Sequence, residues 1–138
     1  ARAKAEKGDI LYSKDGTLGI PCVVDTNREF SFFVSVALIK LKKYIADPFY
    51  VAHALRSPSA MAQVERLGSG AGLKHMVLKS IRALEIPCPP LNQQRRIAQD
   101  VTRHLAVLGD AEQAAKESHD AILALQGAAV RQVFQEGQ

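Results

Sequence analysis

The sequence predicts an α+β fold, in which a small mixed α/β globular domain is followed by one long C-terminal coiled-coil helix. Two observations predict this class. Over residues 1–90, short apolar runs alternate with glycine-containing turns, as in strands joined by turns. From residue 92 onward, apolar residues recur in alternating steps of three and four, as on one face of a helix. A chain of 138 residues can form one small domain and one long element.

Four strands are predicted in the N-terminal part. Residues 10–13 and 20–25 flank a turn at residues 14–19, where two glycines supply positive φ at little cost. Residues 30–42 begin as a continuous apolar run and end in alternation, which predicts a strand buried first on both faces and later on one. Residues 84–88 indicate a final strand.

Two helices are predicted between these strands. Asp47 is a typical N-cap, and Pro48 stands at the first helical position, where its missing N–H costs nothing. Residues 57–58, Ser-Pro, break or restart the helix. A second helix is therefore predicted over residues 59–67, ending at Gly68.

The C-terminal third has one long helical pattern. Residues 89–90, a diproline, stop what precedes, and Asn92 is the predicted cap. At about 1.5 Å per residue, a helix over residues 93–135 would be roughly 65 Å long. Its apolar stripe needs a partner helix, because so small a domain cannot cover it. The residues predicted to form this dimerisation seam are Ile97, Val101, Leu105, Leu108, Ala111, Ala115, Ile122, Leu125, Ala129 and Val133, with Ser118 continuing the spacing.

Charge is distributed unevenly along the chain. Residues 1–90 hold 13 Lys and Arg against 8 Asp and Glu, a net +5, whereas residues 91–138 hold 5 against 6, a net −1. A basic globular part with a near-neutral helix suits a polyanion at one end and a protein at the other.

Several classes of protein are not supported by the sequence. No apolar run approaches the ~20 residues of a membrane span, and the N-terminal residues lack the apolar segment of a signal peptide. We therefore expect a soluble, cytoplasmic protein. Cys22 and Cys88 have no clustered partners, which predicts two buried thiols in a reducing compartment and no metal site.

Catalytic motifs are also missing from the sequence. It contains no Gly-x-Gly-x-x-Gly and no Gly-Lys-Ser/Thr phosphate loop, so no cofactor is expected. The glycine-rich residues 68–72 lack a phosphate-binding lysine and predict a flexible loop. Asp9, Asp15 and Asp25 would be the acids of a nuclease, but turn chemistry explains the first two better. We predict that the chain is not an enzyme, and a small nuclease remains a weaker alternative.

Three stretches carry a family resemblance. Residues 8–19, GDILYSKDGTLG, resemble a signature of the specificity subunits of type I restriction-modification systems. Residues 86–97, IPCPPLNQQRRI, resemble the hallmark that ends a target-recognition domain and opens the spacer helix of these subunits. Residues 122–134 resemble the end of that helix.

The resemblance has two departures. Gln93 replaces the usual Glu at the helix start, and Arg95 and Arg96 follow near the positive end of the helix dipole, where cations are unfavourable. These arginines are candidates for contact with a partner or a phosphate. A complete recognition domain is expected to have more residues before the first motif, so a fragment, a minimal half-subunit and a related stand-alone protein stay open.

The resemblance implies a function. Residues 1–90 would be a partial target-recognition domain and residues 91–138 a spacer and dimerisation helix. Its expected partners are double-stranded DNA, a second copy of the chain, methyltransferase subunits and, as a further candidate, the restriction subunit. The loops and strand ends supply the candidate DNA-contacting residues Lys14, Thr17, Lys40, Lys42, Lys43, Ser69, Lys74 and His75. The alternative is a helical assembly adaptor, derived from a truncated specificity subunit, that does not bind DNA.

Overall fold

A computed structural model describes residues 4–136, and describes side chains for residues 4–126. Within these residues the elements follow the order β1 (Ile10–Ser13), β2 (Pro21–Val23), β3 (Val36–Ile39), α1 (Pro48–Leu55), α2 (Pro58–Leu67), α3 (Leu78–Arg82) and α4 (Leu91–Glu136). A small sheet, short helices and a long C-terminal helix confirm the predicted α+β class. Residues up to Gln99 form one compact unit and residues from Asp100 onward form another, here called the first and second units.

The sheet has β1 at its centre, and β2 and β3 pair with it antiparallel on either side. Side chains alternate along β1, so that Ile10 and Tyr12 are fully buried while Leu11 and Ser13 are partly exposed. This period of two is typical of a strand with one buried face. The predicted turn at residues 14–19 leads from β1 toward β2, and its two glycines have φ of +76° and +82°.

The strand predicted over residues 30–42 is wrong in its extent, because β3 comprises only Val36–Ile39. The central strand offers partners only along its own four residues, and Val36 is the first residue of β3 to face one. The residues before Val36 therefore form a loop, in which Phe33 is 84% exposed and Val34 is 73% exposed. Apolar composition predicted burial there, but pairing is limited by the length of the neighbouring strand.

Both cysteines are exposed, so the prediction of two buried thiols is wrong. The strand β2 is shorter than predicted, and Cys22 lies on its outward side next to the buried Pro21. Cys88 lies in an irregular segment between Pro87 and Pro89, which leaves its side chain exposed. Cys22 is exposed because neighbouring side chains of an extended strand point to opposite faces, and Pro21 occupies the buried face.

The helices α1 and α2 begin close to their predicted starts. The Asp47 carboxylate accepts hydrogen bonds of 3.0 Å from two backbone N–H groups in the first turn of α1, after Pro48. The helix α2 begins at Pro58, one residue before the predicted start, and the Ser57 hydroxyl accepts a hydrogen bond from the N–H of Ala60. In both helices a polar cap and a proline at the first position fix the start. The sequence predicted both features for α1, and for α2 only a break or restart at residues 57–58.

The strand predicted over residues 84–88 is wrong. This segment is irregular, and the Gln63 side chain of α2 provides its hydrogen bonds: Oε1 accepts from the Glu85 N–H at 2.9 Å, and Nε2 donates to the Glu85 carbonyl at 2.8 Å. A side-chain amide thus takes the place of a strand partner. Pro87 has no N–H with which to continue a ladder.

The core of the first unit includes the start of α4. The helix begins at Leu91, directly after the diproline, and Ala98 is buried in the core. The predicted cap Asn92 lies inside the helix, and the Pro90 carbonyl accepts hydrogen bonds from the N–H groups of Gln93 and of the next residue. The buried core cluster consists of Ile10, Tyr12, Leu18, Tyr50, Val51, Leu55, Val64, Met76 and Ala98.

Candidate nucleic-acid interface

Two loops that are distant in sequence meet beyond the end of β1. The N–H of Gly16 donates to the Lys74 carbonyl at 2.9 Å, and the N–H of Met76 donates to the Lys14 carbonyl at 2.8 Å. We call residues 14–19 and 68–76 together the two-loop surface. It brings together five of the predicted DNA-contacting residues: Lys14, Thr17, Ser69, Lys74 and His75.

The second of these loops is closed by its own backbone. The N–H groups of Ser69 and His75 donate to each other's carbonyl oxygens, at 3.0 and 2.8 Å. Gly70 has a φ of +119°, and a Cβ built on it would lie only 2.4 Å from the Leu73 carbonyl oxygen. Glycine is therefore required at this position. The segment that was expected to be a flexible loop is a hydrogen-bonded hairpin in the structure.

Asp15 joins the two loops electrostatically. Its carboxylate contacts Nδ1 of His75 and lies 3.0 Å from Nζ of Lys14. The hydrogen bond from His75 and, next, that from Lys14 lower the pKa of the Asp15 carboxyl from its ordinary value of 3.8. Asp15, which turn chemistry explained at the level of sequence, thus also forms a side-chain hydrogen bond that links residues 60 positions apart.

The predicted DNA-contacting residues of the two-loop surface differ in exposure and in the partners that they already have. The Lys14 side chain is only 13% exposed and is paired with Asp15, so it shapes the surface rather than presenting a free charge. Thr17, Ser69 and Lys74 are exposed. Because Asp15 holds Nδ1 of His75, whose side chain is 45% exposed, Nε2 is the ring nitrogen available for another hydrogen bond. Exposed hydroxyl, ammonium and imidazole groups are the types that can read base edges and phosphates.

The other predicted cations lie at and beyond the opposite end of β3. Nζ of Lys40 lies 3.1 Å from the buried Asp9 and 3.5 Å from Glu6, and the hydrogen bond to Asp9 is the main cause that raises the pKa of Lys40. Lys42 and Lys43 are exposed and form no ion pair with a residue that the structure describes. Lys40 therefore forms ion pairs within the first unit, whereas Lys42 and Lys43 remain candidates for phosphate contact.

Sequence reasoning missed Gln94, which is fully buried at the start of α4. Its Oε1 accepts from the Asp47 N–H at 2.9 Å, and its Nε2 donates to the carbonyls of Ile45 and Pro89, each at 2.8 Å. The amide therefore fastens the first turn of α4 to the segment before α1 and to the diproline. Its helical spacing from the buried Ala98, with a step of four, was the signal that could have identified it.

Two of the three acids considered for a nuclease pair with basic side chains of the first unit. Asp9 pairs with Lys40, and Asp15 pairs with Lys14 and His75. Over the part of the chain that the structure describes, no group of three or more His, Cys, Asp or Glu residues could hold a metal ion.

The residues of the predicted dimerisation seam all lie on α4, most of them in the second unit. In the second unit its large members are well exposed, at 53% for Leu105, 64% for Leu108, 53% for Ile122 and 70% for Leu125. The side chains of Ala129 and Val133 lie outside the described residues. Among the helices described, none is both long and apolar enough to cross a membrane.

Comparison with known families agrees with the resemblance. Residues 2–117 match the model of the type I restriction modification DNA specificity domain. The match covers 116 of the 138 residues, and the chain therefore belongs to this family. A search of curated proteins gave no match. The family assignment supports a role in the specificity subunit of a type I restriction-modification system.

Proposed function

We propose that the chain is a sequence-specific DNA-binding specificity subunit, or half-subunit, of a type I restriction-modification system. Residues 1–90 would act as a partial target-recognition domain and residues 91–138 as the spacer and dimerisation helix. The single observation that carries the proposal is the meeting of residues 14–19 and 68–76, which gathers hydrogen-bonding side chains on one surface of a basic unit that belongs to this family. The complex would act in the cytoplasm.

On this proposal the two-loop surface contacts one DNA half-site. His75 and Ser69 are suited to base edges, because the free Nε2 of His75 can form one hydrogen bond and a hydroxyl both donates and accepts them. Lys74 and Thr17 are suited to phosphates, which position the protein without reading sequence. Lys14 and Asp15 would act indirectly, by holding His75 in place.

The helix α4 would set the distance between half-sites. Its exposed apolar side chains recur at the spacing of a coiled-coil seam, and such a stripe is stabilised by a second helix. Pairing with α4 of a second copy would give a symmetric dimer that reads two related half-sites. The paired helices would also offer a platform to methyltransferase subunits, with the restriction subunit as a further candidate, and these partners would carry the catalysis.

The decisive experiment is selection of bound duplexes from a random DNA pool, with and without a methyltransferase subunit. We expect an enriched motif with two half-sites at a fixed separation. A His75→Ala variant should lose part of the enrichment, whereas Arg56→Ala, at an exposed residue that belongs to neither loop, should keep it. Enrichment of no motif under either condition would contradict sequence-specific binding.

One observation favours the alternative of a helical adaptor that does not bind DNA. Two of the predicted DNA-contacting lysines, Lys14 and Lys40, are held in ion pairs within the first unit. The dependence of DNA affinity on salt separates the two functions, because each phosphate contact releases counterions and steepens that dependence. An adaptor would bind duplex DNA weakly at any salt concentration, while its helix would still associate with partner helices.

A further inference from the structure

A second cationic surface lies away from the two-loop surface, where the start of α4 meets the segment before α1. It is a pocket of about 230 Å³, and Lys7, Lys43 and Arg95 bring three positive charges to it. We propose that this pocket binds a phosphate group of the DNA backbone. The proposal rests on the proposed function for the source of the phosphate, and adds a site that sequence reasoning did not assemble.

The pocket is held by contacts that fix its walls. Gln94, fully buried, accepts a hydrogen bond from the Asp47 N–H and thereby fastens the first turn of α4 beside the start of α1. Leu91 and Arg95, one helical turn apart, consequently line the same pocket as Asp47. Gly8 and Lys43, which also line the pocket, lie close together, since a Cβ built on Gly8 would lie 3.8 Å from Cε of Lys43.

The charges in the pocket are not neutralised from within. Lys7, Lys43 and Arg95 form no ion pair with any residue that the structure describes, in contrast to Lys40, which has two acidic partners nearby. Asp47 is the acid that lines the pocket, and its Oδ1 already accepts two backbone hydrogen bonds as the cap of α1. Three cations facing one acid leave an excess positive charge in a concave space.

An anion bound among these exposed cations would be attracted by all three. Like charges repel one another, and α4 has no acidic residue in its first turn, where the helix dipole favours one. Arg95 instead follows that first turn. A phosphodiester bound among these cations would offset the repulsion between their charges. An arginine can bind two phosphate oxygens at once. A phosphate therefore fits the charge of the pocket.

The first arm of the test measures duplex DNA affinity over a salt series with the full chain. The variant Lys43→Gln/Arg95→Gln should reduce the slope of log K against log salt by about 1, the value of one phosphate contact. The control Arg56→Gln/Lys116→Gln removes one lysine and one arginine that are exposed and do not line the pocket, and it should keep the wild-type slope. Equal slopes in all three proteins would overturn binding of backbone phosphate.

The second arm titrates inorganic phosphate and follows the side-chain Nε–Hε NMR signal of Arg95, assigned by its loss in Arg95→Gln. A saturable shift supports the pocket without reference to DNA. If the slopes are equal but the shift saturates, the pocket serves a free phosphate compound, and the DNA source is wrong. If wild-type chain shows no salt-dependent DNA binding, the proposed function fails and the phosphate titration alone decides the pocket. Equal slopes without a saturable shift overturn the proposal altogether.

Discussion

Two tyrosines in the first unit differ in whether their hydroxyl groups find a partner. Tyr12 is fully buried, and its hydroxyl makes no hydrogen bond with the described residues, whereas the hydroxyl of Tyr50 donates to the Pro87 carbonyl at 2.9 Å. Burial raises the pKa of both phenols. Burial of a polar group without a partner is costly, while burial with a partner is nearly neutral or stabilising.

Removing the hydroxyl group should therefore change the free energy of unfolding differently at Tyr12 and Tyr50. We expect Tyr12→Phe to leave the free energy of unfolding unchanged or to raise it, because the variant removes an unsatisfied hydroxyl. Tyr50→Phe should lower it by about 1 kcal/mol, because it removes a hydrogen bond and strands the Pro87 carbonyl. Urea denaturation of both variants measures the difference, and equal losses at the two positions would contradict the prediction.

The lowered pKa of Asp15 predicts how the stability of the chain depends on pH. Its folded pKa is below the ordinary value of 3.8, so the folded state binds this proton less tightly than the unfolded state. The stabilisation is present above pH 3.8 and is lost as pH falls through the folded pKa. Because His75 is the main cause, His75→Ala should raise the carboxyl pKa of Asp15 more than Lys14→Met does.

The Asp15 carboxyl pKa can be measured in each protein from its ¹³C chemical shift as pH is lowered. The control is Arg56→Ala, at an exposed residue outside the two-loop surface, which should leave the Asp15 carboxyl pKa as in wild type. A larger effect of Lys14→Met than of His75→Ala would reverse the proposed order of causes.

At the scale of elements, the hairpin at residues 68–76 depends on one glycine. Gly70 has a positive φ and no space for a Cβ, whereas Gly72, two residues later, has nothing within 4 Å of the position that a Cβ would occupy. Gly70→Ala should destabilise the chain by more than about 1 kcal/mol, and Gly72→Ala should be close to neutral. Thermal unfolding measures stability, and hydrogen exchange at the Ser69 and His75 amides reports on the hairpin itself. Unchanged protection of these amides in Gly70→Ala would contradict the prediction.

The start of α4 depends on Gln94 in a similar way. Gln94→Leu keeps the side chain close in size but leaves the Asp47 N–H and the carbonyls of Ile45 and Pro89 without their partner. We expect a loss of about 2–3 kcal/mol in the free energy of unfolding, because unsatisfied buried groups cost about 1–3 kcal/mol. Gln93→Leu, on the adjacent exposed residue, is the control and should cost little. Equal losses in urea denaturation would show that Gln94 contributes no more than its neighbour.

At the scale of the whole molecule, the sequence predicted what depends on local pattern. The cap Asp47, the restart of the helix at residues 57–58 and the diproline stop all follow from neighbours in the chain. The sequence-based prediction was wrong where the structure of a segment depends on a distant partner. The strand β3 is shorter than predicted, and residues 84–88 are bound by the Gln63 side chain instead of a strand. The candidate residues of the two loops were identified separately, but their meeting through Asp15 and His75 required the tertiary structure. Gln94 was missed because Ile45 and Asp47, whose backbone groups its side chain binds, are distant in the sequence.

Dimerisation through α4 is a property of the whole molecule, and adjacent residues of the second unit test it. Leu108 and Val107 are almost equally exposed, at 64% and 63%, but only Leu108 belongs to the predicted seam. Leu108→Lys should therefore shift the chain toward a monomer, because a charge within a coiled-coil seam loses its hydration on association. Val107→Lys adds the same charge beside the seam and should leave the dimer intact. Light scattering after gel filtration, over a range of protein concentrations, distinguishes the two. A wild-type chain that stays monomeric at high concentration, or equal behaviour of the two variants, would remove the physical basis for a helix that sets half-site spacing.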